Sequence, residues 1–79
     1  MVTIFRTHGL RFVIFTNDHE PAHVHVIGEG EAKINLAGSG NRPELVWNDG
    51  MKRGDVRRAM ATVEKNLEQF LDRWSDMHG

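Results

Sequence analysis

The stretch His19-Glu20-Pro21-Ala22-His23-Val24-His25-Val26 alternates imidazole and valine over its last four residues. On a β-strand, successive side chains point to opposite faces of the sheet. Both valines can therefore enter a hydrophobic core while both imidazoles lie side by side on the other face. The alternation predicts a strand over 23–27 and makes His23 and His25 the first candidates for a functional site.

The segments around this stretch also indicate short strands separated by turns. Residues typical of β-strands fill 3–6 and 10–15, and Thr7-His8-Gly9 between them predicts a tight hairpin. Apolar and polar residues alternate over 31–36, which predicts the next strand, and 44–47 is a candidate last strand. The sequence thus predicts a small, mostly antiparallel sheet of four or five strands.

The last third of the chain changes to a helical period. Its apolar residues are spaced alternately four and three apart, at Val56, Met60, Val63, Leu67, Phe70, Trp74 and Met77. This stripe predicts a single long C-terminal helix that covers one face of the sheet. The fold class is therefore α+β, in a single domain over 1–79. If the sheet leaves part of this apolar stripe uncovered, two copies of the chain could pair through it as a homodimer.

Composition excludes several classes of function. The chain has 79 residues, a formal net charge of −1 and no cysteine. Disulfides, thiolate metal sites and cysteine nucleophiles are excluded, and the balanced charge gives no general attraction to nucleic acid or to anionic membranes. No apolar run is long enough to span a bilayer. We therefore expect a soluble cytoplasmic protein with no membrane partner.

The histidine cluster suggests a metal site. Same-face neighbours on a strand are about 6.5 to 7 Å apart at their Cα atoms, so His23 and His25 can converge on one divalent ion such as zinc. His19 on the incoming loop could fold back as the third ligand, and Asp18, Glu20 or Glu31 could add a carboxylate. The spacing matches no standard zinc motif. A solvated outer strand face is the ordinary alternative.

The same cluster also offers acid–base chemistry. His23, His25 and Glu20 are the candidate catalytic residues of a metal-dependent or histidine-based hydrolase or nuclease. A nuclease would further need a cation to hold phosphate, for which the candidates are Arg11, Lys33 and Arg42. Because the sequence contains no complete catalytic constellation, an enzyme is not the first expectation.

A basic run offers a weaker alternative. Lys52-Arg53-Gly54-Asp55-Val56-Arg57-Arg58 could bind nucleic-acid phosphates at the start of the helix. A solvated helix end is the more ordinary interpretation of such a run in a chain with balanced charge.

Several segments, in order, resemble a known family. Thr3-Ile4-Phe5-Arg6, Gly9-Leu10-Arg11-Phe12, the stretch over 19–26 and Glu31-Ala32-Lys33 resemble small prokaryotic proteins that carry a domain of unknown function, number forty-one sixty. The resemblance covers essentially the whole chain, and Glu-Pro-x-His-Val-His-Val is its most specific part. It implies no established activity. It implies that the chain works with a small partner protein encoded beside it, in an arrangement similar to a toxin–antitoxin pair.

The resemblance also implies which residues form the functional surface. These are the motif residues His19, Glu20, Pro21, His23 and His25. The first expectation is therefore a small intracellular module for protein interaction or regulation. His23, His25 and Glu20 would contact the partner, with Trp47 as a further contact. No cofactor is required by this interpretation, although the histidines could hold a divalent metal such as zinc.

Overall fold

The computed structural model describes residues 1–78 and contains one antiparallel sheet with two helices packed on it. The sheet has five strands in the order β1-β2-β3-β4-β5, so each strand pairs with its neighbour in sequence. The elements are β1 Val2–Thr7, β2 Leu10–Ile14, β3 His23–Ile27, β4 Glu31–Asn35, a 3₁₀ turn Ser39–Asn41, β5 Glu44–Asp49, α1 Arg53–Lys65 and α2 Leu67–His78. The predicted α+β fold and antiparallel sheet are confirmed.

The β1–β2 hairpin is closed by the predicted tight turn. Thr7 pairs with Leu10, which leaves His8 and Gly9 as the two turn residues. Both have positive φ, at 52° and 73°, and this backbone matches the twist of the adjoining strands.

The register of the sheet separates two faces. Phe12, Val26 and Ala32 lie opposite one another on adjacent strands, and all three are fully buried in the core under the helices. On the other face, His25 lies between Val13 on β2 and Lys33 on β4. The valines of β3 therefore point to the core and its histidines point away from it.

The prediction of a single long helix is wrong. The helix is interrupted at Asn66, whose φ of −114° and ψ of 24° are not helical. Its side-chain Nδ2 donates to the carbonyl of Thr62 at 2.8 Å, and its backbone N–H donates to the same oxygen at 3.0 Å. Asparagine favours such local side-chain bonds over regular helix. The apolar stripe nevertheless continues across the break, because Val63 and Phe70 are both fully buried.

Phe70 of α2 lies at the centre of the core. Its ring meets Phe5 and Phe12, each at a centroid distance of 5.7 Å. Edge-to-face and tilted contacts of this kind add to the stabilisation that comes from burying the rings.

Most of the large apolar side chains that are exposed lie on β5. Within residues 1–78, the large hydrophobic side chains that are exposed are Met1, Leu45, Val46 and Trp47. The helical stripe packs on the sheet, with its central residues buried and the others partly buried. In the same residues, no helix has the length and apolar character needed to cross a membrane.

Candidate metal centre

Three polar side chains converge beside the start of β3. His23 Nε2 lies 3.1 Å from Asp18 Oδ2, and His25 Nε2 lies 4.0 Å from the same oxygen. One ligand atom from each of Asp18, His23 and His25 lies within 4.8 Å of the other two. Imidazole nitrogens and a carboxylate oxygen are ligands that divalent transition metals accept.

Two hydrogen bonds within the β2–β3 loop hold Asp18 in this position. The backbone N–H of Asp18 donates to the carbonyl of Phe15 at 3.1 Å. In return, Asp18 Oδ2 accepts from the backbone N–H of Phe15 at 3.2 Å. An aspartate that closes a turn on its own backbone in this way has a fixed carboxylate direction.

Each histidine is also fixed through its second ring nitrogen. His23 Nδ1 lies 2.8 Å from the carbonyl oxygen of Pro21, and His25 Nδ1 lies 3.1 Å from Glu31 Oε2. A carbonyl and a carboxylate can only accept, so both Nδ1 atoms carry the proton and donate it. Metal-binding histidines usually have such a partner, which orients the ring and raises its basicity.

These bonds decide what the Nε2 atoms present to Asp18. In a neutral ring whose Nδ1 carries the proton, Nε2 holds a lone pair. His23 Nε2 then faces a carboxylate oxygen at 3.1 Å. Two acceptors at this distance repel unless a positive charge lies on the ring or between them. Either a proton on Nε2 or a metal ion would supply that charge.

Aromatic side chains hold both imidazoles in place. The ring of His25 lies 4.7 Å from that of Phe15 and 5.2 Å from that of His23. Trp74 of α2 lies 5.1 Å from the ring of His23. The side chain of His23 is consequently only 5% exposed, against 13% for His25 and 18% for Asp18.

The group opens into a cleft of about 510 Å³ on the sheet face opposite the core. Residues of the β2–β3 loop form one side of it, and Lys33 and Trp47 line it as well. The indole of Trp47 reaches the ring of His25 at a centroid distance of 5.9 Å. The cleft therefore gives the two imidazoles a route to solvent.

The structure brings together some of the candidate residues of the sequence analysis and leaves others outside the group. His23 and His25 come together with Asp18, which was one of three candidate carboxylates. His19 is exposed and lines the cleft, but it does not belong to the converging group. Glu20 is exposed, and its Oε1 accepts from Trp74 Nε1 at 3.4 Å. His23, in contrast, is too deeply buried to offer much surface to a partner.

Of the candidate phosphate-binding cations, only Lys33 lines the cleft. Arg11 lies on the same sheet face but lines a separate depression together with Arg6. The basic run at the start of α1 is partly neutralised, because Lys52 pairs with Glu29 at 3.3 Å and Arg58 pairs with Asp55 at 3.1 Å.

Sequence reasoning missed the anchoring partners of the two histidines. Glu31 was considered only as a ligand, whereas the structure makes it the acceptor for His25. The signal lies in the hairpin register: Glu31 pairs with Ile27, two residues beyond His25, and diagonal neighbours on one face can touch. The other acceptor is the backbone carbonyl of Pro21, and a pattern of side chains cannot indicate a backbone partner.

Comparison with known proteins identifies a family. A family model described as "Domain of unknown function (DUF4160)" matches residues 9–75. No curated protein and no solved structure matches the chain.

Proposed function

The chain belongs to the DUF4160 family, whose description assigns no activity, and from the geometry of its site we propose that it binds a divalent transition metal. His23 Nε2, His25 Nε2 and the carboxylate of Asp18 are the protein ligands. Three protein ligands leave at least one coordination position for water or substrate, as in catalytic rather than structural zinc sites.

The observation that carries this proposal is that the Nδ1 atoms of both histidines are already engaged in hydrogen bonds. Each donates to a fixed acceptor, Pro21 in one case and Glu31 in the other. Both Nε2 atoms are thereby turned toward the same oxygen of Asp18. Two histidines on a strand face that only contacts water would not be expected to point at the same carboxylate oxygen.

The two distances from the imidazole nitrogens to Asp18 are near those around a tetrahedral zinc ion. Zinc lies about 2.0 to 2.1 Å from its nitrogen and oxygen ligands, which places ligand atoms about 3.4 Å apart. The 3.1 Å between His23 and Asp18 is close to this value. The 4.0 Å between His25 and Asp18 is longer, and a shift of roughly half an ångström in the His25 ring brings it into range.

Such a site supports the hydrolase alternative of the sequence analysis. A metal with an open position can activate water or polarise a substrate oxygen. His19 and Glu20 line the same cleft and supply candidate groups for proton transfer. Hydrolysis is therefore the reaction class that the proposed centre suits.

Calorimetric titration with zinc tests the proposal. The wild-type chain should bind about one equivalent, and His25→Ala and Asp18→Asn should each weaken binding by about tenfold or more. His19→Ala is the matched control, because this histidine lies on the same loop outside the converging group. It should bind zinc as the wild type does.

Two outcomes of this titration would change the interpretation. No binding by the wild type would contradict the metal site and leave a protonated His23 paired with Asp18 as the explanation of the geometry. An equal loss in His19→Ala and His25→Ala would make His19 a ligand, as the sequence analysis predicted.

A second candidate function is partner recognition, which strand β5 favours. We propose that an extended segment of a small partner protein pairs with the free edge of β5, where Leu45, Val46 and Trp47 are exposed. Co-purification with the product of the adjacent gene tests this role, with Val46→Lys as the variant. No complex at micromolar concentration, or a complex unaffected by Val46→Lys, would count against this interface.

A further inference from the structure

His25, Lys33 and Trp47 form a row across three adjacent strands. His25 on β3 pairs with Lys33 on β4, and Lys33 pairs with Trp47 on β5. Directly opposite residues lie on the same face, and neighbouring strands are about 4.8 Å apart. The proposed metal, an ammonium group and an indole therefore follow one another along a single cleft.

Lys33 brings a cation without a counterion to this row. Among residues 1–78, no carboxylate oxygen lies within ion-pair distance of its ammonium group. Lys52, in contrast, is paired with Glu29 at 3.3 Å. Lys33 is a half-buried residue, and an ammonium that has no ion-pair partner beside a divalent ion attracts an anion into the cleft.

Two adjacent positive groups select among anions. A phosphate monoester carries a charge of about −1.5 to −2 near pH 7, whereas a carboxylate carries only one negative charge. Phosphate oxygens can reach the metal and Lys33 together. The row therefore favours a phosphate monoester over a carboxylate.

Trp47 adds an aromatic wall beyond the two positive groups. Its side chain lines the cleft, and the residue is 40% exposed although its ring makes an edge contact with the ring of His25. An exposed indole next to a phosphate site provides a stacking surface for a planar base. The cleft volume of about 510 Å³ lies within the range of small-molecule sites.

We propose that the cleft binds a nucleotide, with the phosphate on the metal and Lys33 and the base against Trp47. This inference rests on the proposed metal site. The same chemistry occurs in a free nucleoside monophosphate and in the 5′-phosphorylated end of a single strand, so both sources enter the test.

Calorimetry on the zinc-loaded full chain tests the inference, with AMP as the probe. AMP should bind, and Lys33→Met and Trp47→Leu should each weaken its binding by about tenfold. Lys52→Met and Val46→Ala are the matched controls, since one removes a lysine and the other an exposed β5 side chain, both outside the cleft. Neither control should change AMP binding or zinc affinity, and AMP binding to all four variants is measured at a zinc concentration that saturates each of them.

Two further probes separate the phosphate from the base. Ribose 5-phosphate should bind more weakly than AMP and should lose affinity in Lys33→Met but not in Trp47→Leu. A 5′-phosphorylated oligoadenylate that binds more tightly than AMP would identify a strand end as the ligand, and the reverse order would identify a free nucleotide.

The results distinguish this inference from the function on which it rests. If the wild type binds no zinc, the metal site and the nucleotide inference are both overturned. If zinc binds but AMP does not, or if AMP binds equally to Lys33→Met and Lys52→Met, only the nucleotide inference is overturned.

Discussion

Nδ1 of His25 donates a hydrogen bond to Glu31 Oε2 across the β3–β4 hairpin, at 3.1 Å. We expect Glu31→Gln to weaken zinc binding by about tenfold, because a neutral amide orients the ring and raises its basicity less than a carboxylate does. Zinc titration by calorimetry measures the change.

Glu29→Gln serves as the control for this variant. Glu29 lies two residues away and pairs with Lys52, so its substitution removes the same charge from the same hairpin without touching His25. Equal zinc affinities for the two variants would show that the bond to Glu31 has no part in metal binding.

Metal binding should also stabilise the fold. Zinc at about 100 times its dissociation constant should raise the free energy of unfolding by about 2.7 kcal/mol, because it binds the folded state preferentially. Thermal unfolding with and without a chelator measures this effect. At the same zinc concentration, a tenfold weaker affinity would leave His25→Ala a stabilisation of only about 1.4 kcal/mol, and a stabilisation equal to that of the wild type would show that His25 is not a ligand.

Substitution of Phe70 should destabilise the core strongly. The ring is fully buried between Phe5 and Phe12, so Phe70→Ala should lower the free energy of unfolding by about 3 to 5 kcal/mol. Urea unfolding gives the value. Leu71→Ala, at a partly buried neighbouring position, should cost less, and the opposite order would place the centre of the core elsewhere.

Gly30 should tolerate no side chain. A Cβ at this position would lie 2.6 Å from the backbone nitrogen of Met51 and would also clash with the backbone of Asp49 and Gly50. Backbone atoms cannot move away by rotating a side chain, so we expect Gly30→Ala to lower the free energy of unfolding by about 3 kcal/mol in urea unfolding.

Gly40→Ala is the comparison for that variant. Gly40 has a φ of 71° and open space around its Cα, so alanine there meets only backbone strain of about 1 kcal/mol. A smaller cost at Gly30 than at Gly40 would contradict the close approach of β5 to the β3–β4 turn.

The sheet could be predicted from the sequence because its signals are local. Alternation over 23–27 and 31–36 assigns each side chain to a face, and His8-Gly9 supplies the backbone that a two-residue turn needs. The break at Asn66 could not be predicted in the same way. The spacing of the apolar stripe does not change across Asn66, and the side-chain bond that this residue makes to the Thr62 carbonyl, beside its backbone bond to the same oxygen, has no periodic signal.

The candidate site was predictable in part. Strand alternation places His23 and His25 on one face, but the choice of Asp18 among the nearby carboxylates depends on how the loop folds back on Phe15. The burial of His23 depends on where Trp74 of α2 packs against the start of β3. Neither relationship has a periodic signal in the sequence.

The hydrogen-bond partners that orient the three proposed ligands all lie between Phe15 and Glu31 in the sequence. A centre prepared in this way needs no refolding when an ion enters or leaves. Its occupancy would then follow the free metal concentration around the protein, and an emptied site would be ready at once for the next ion.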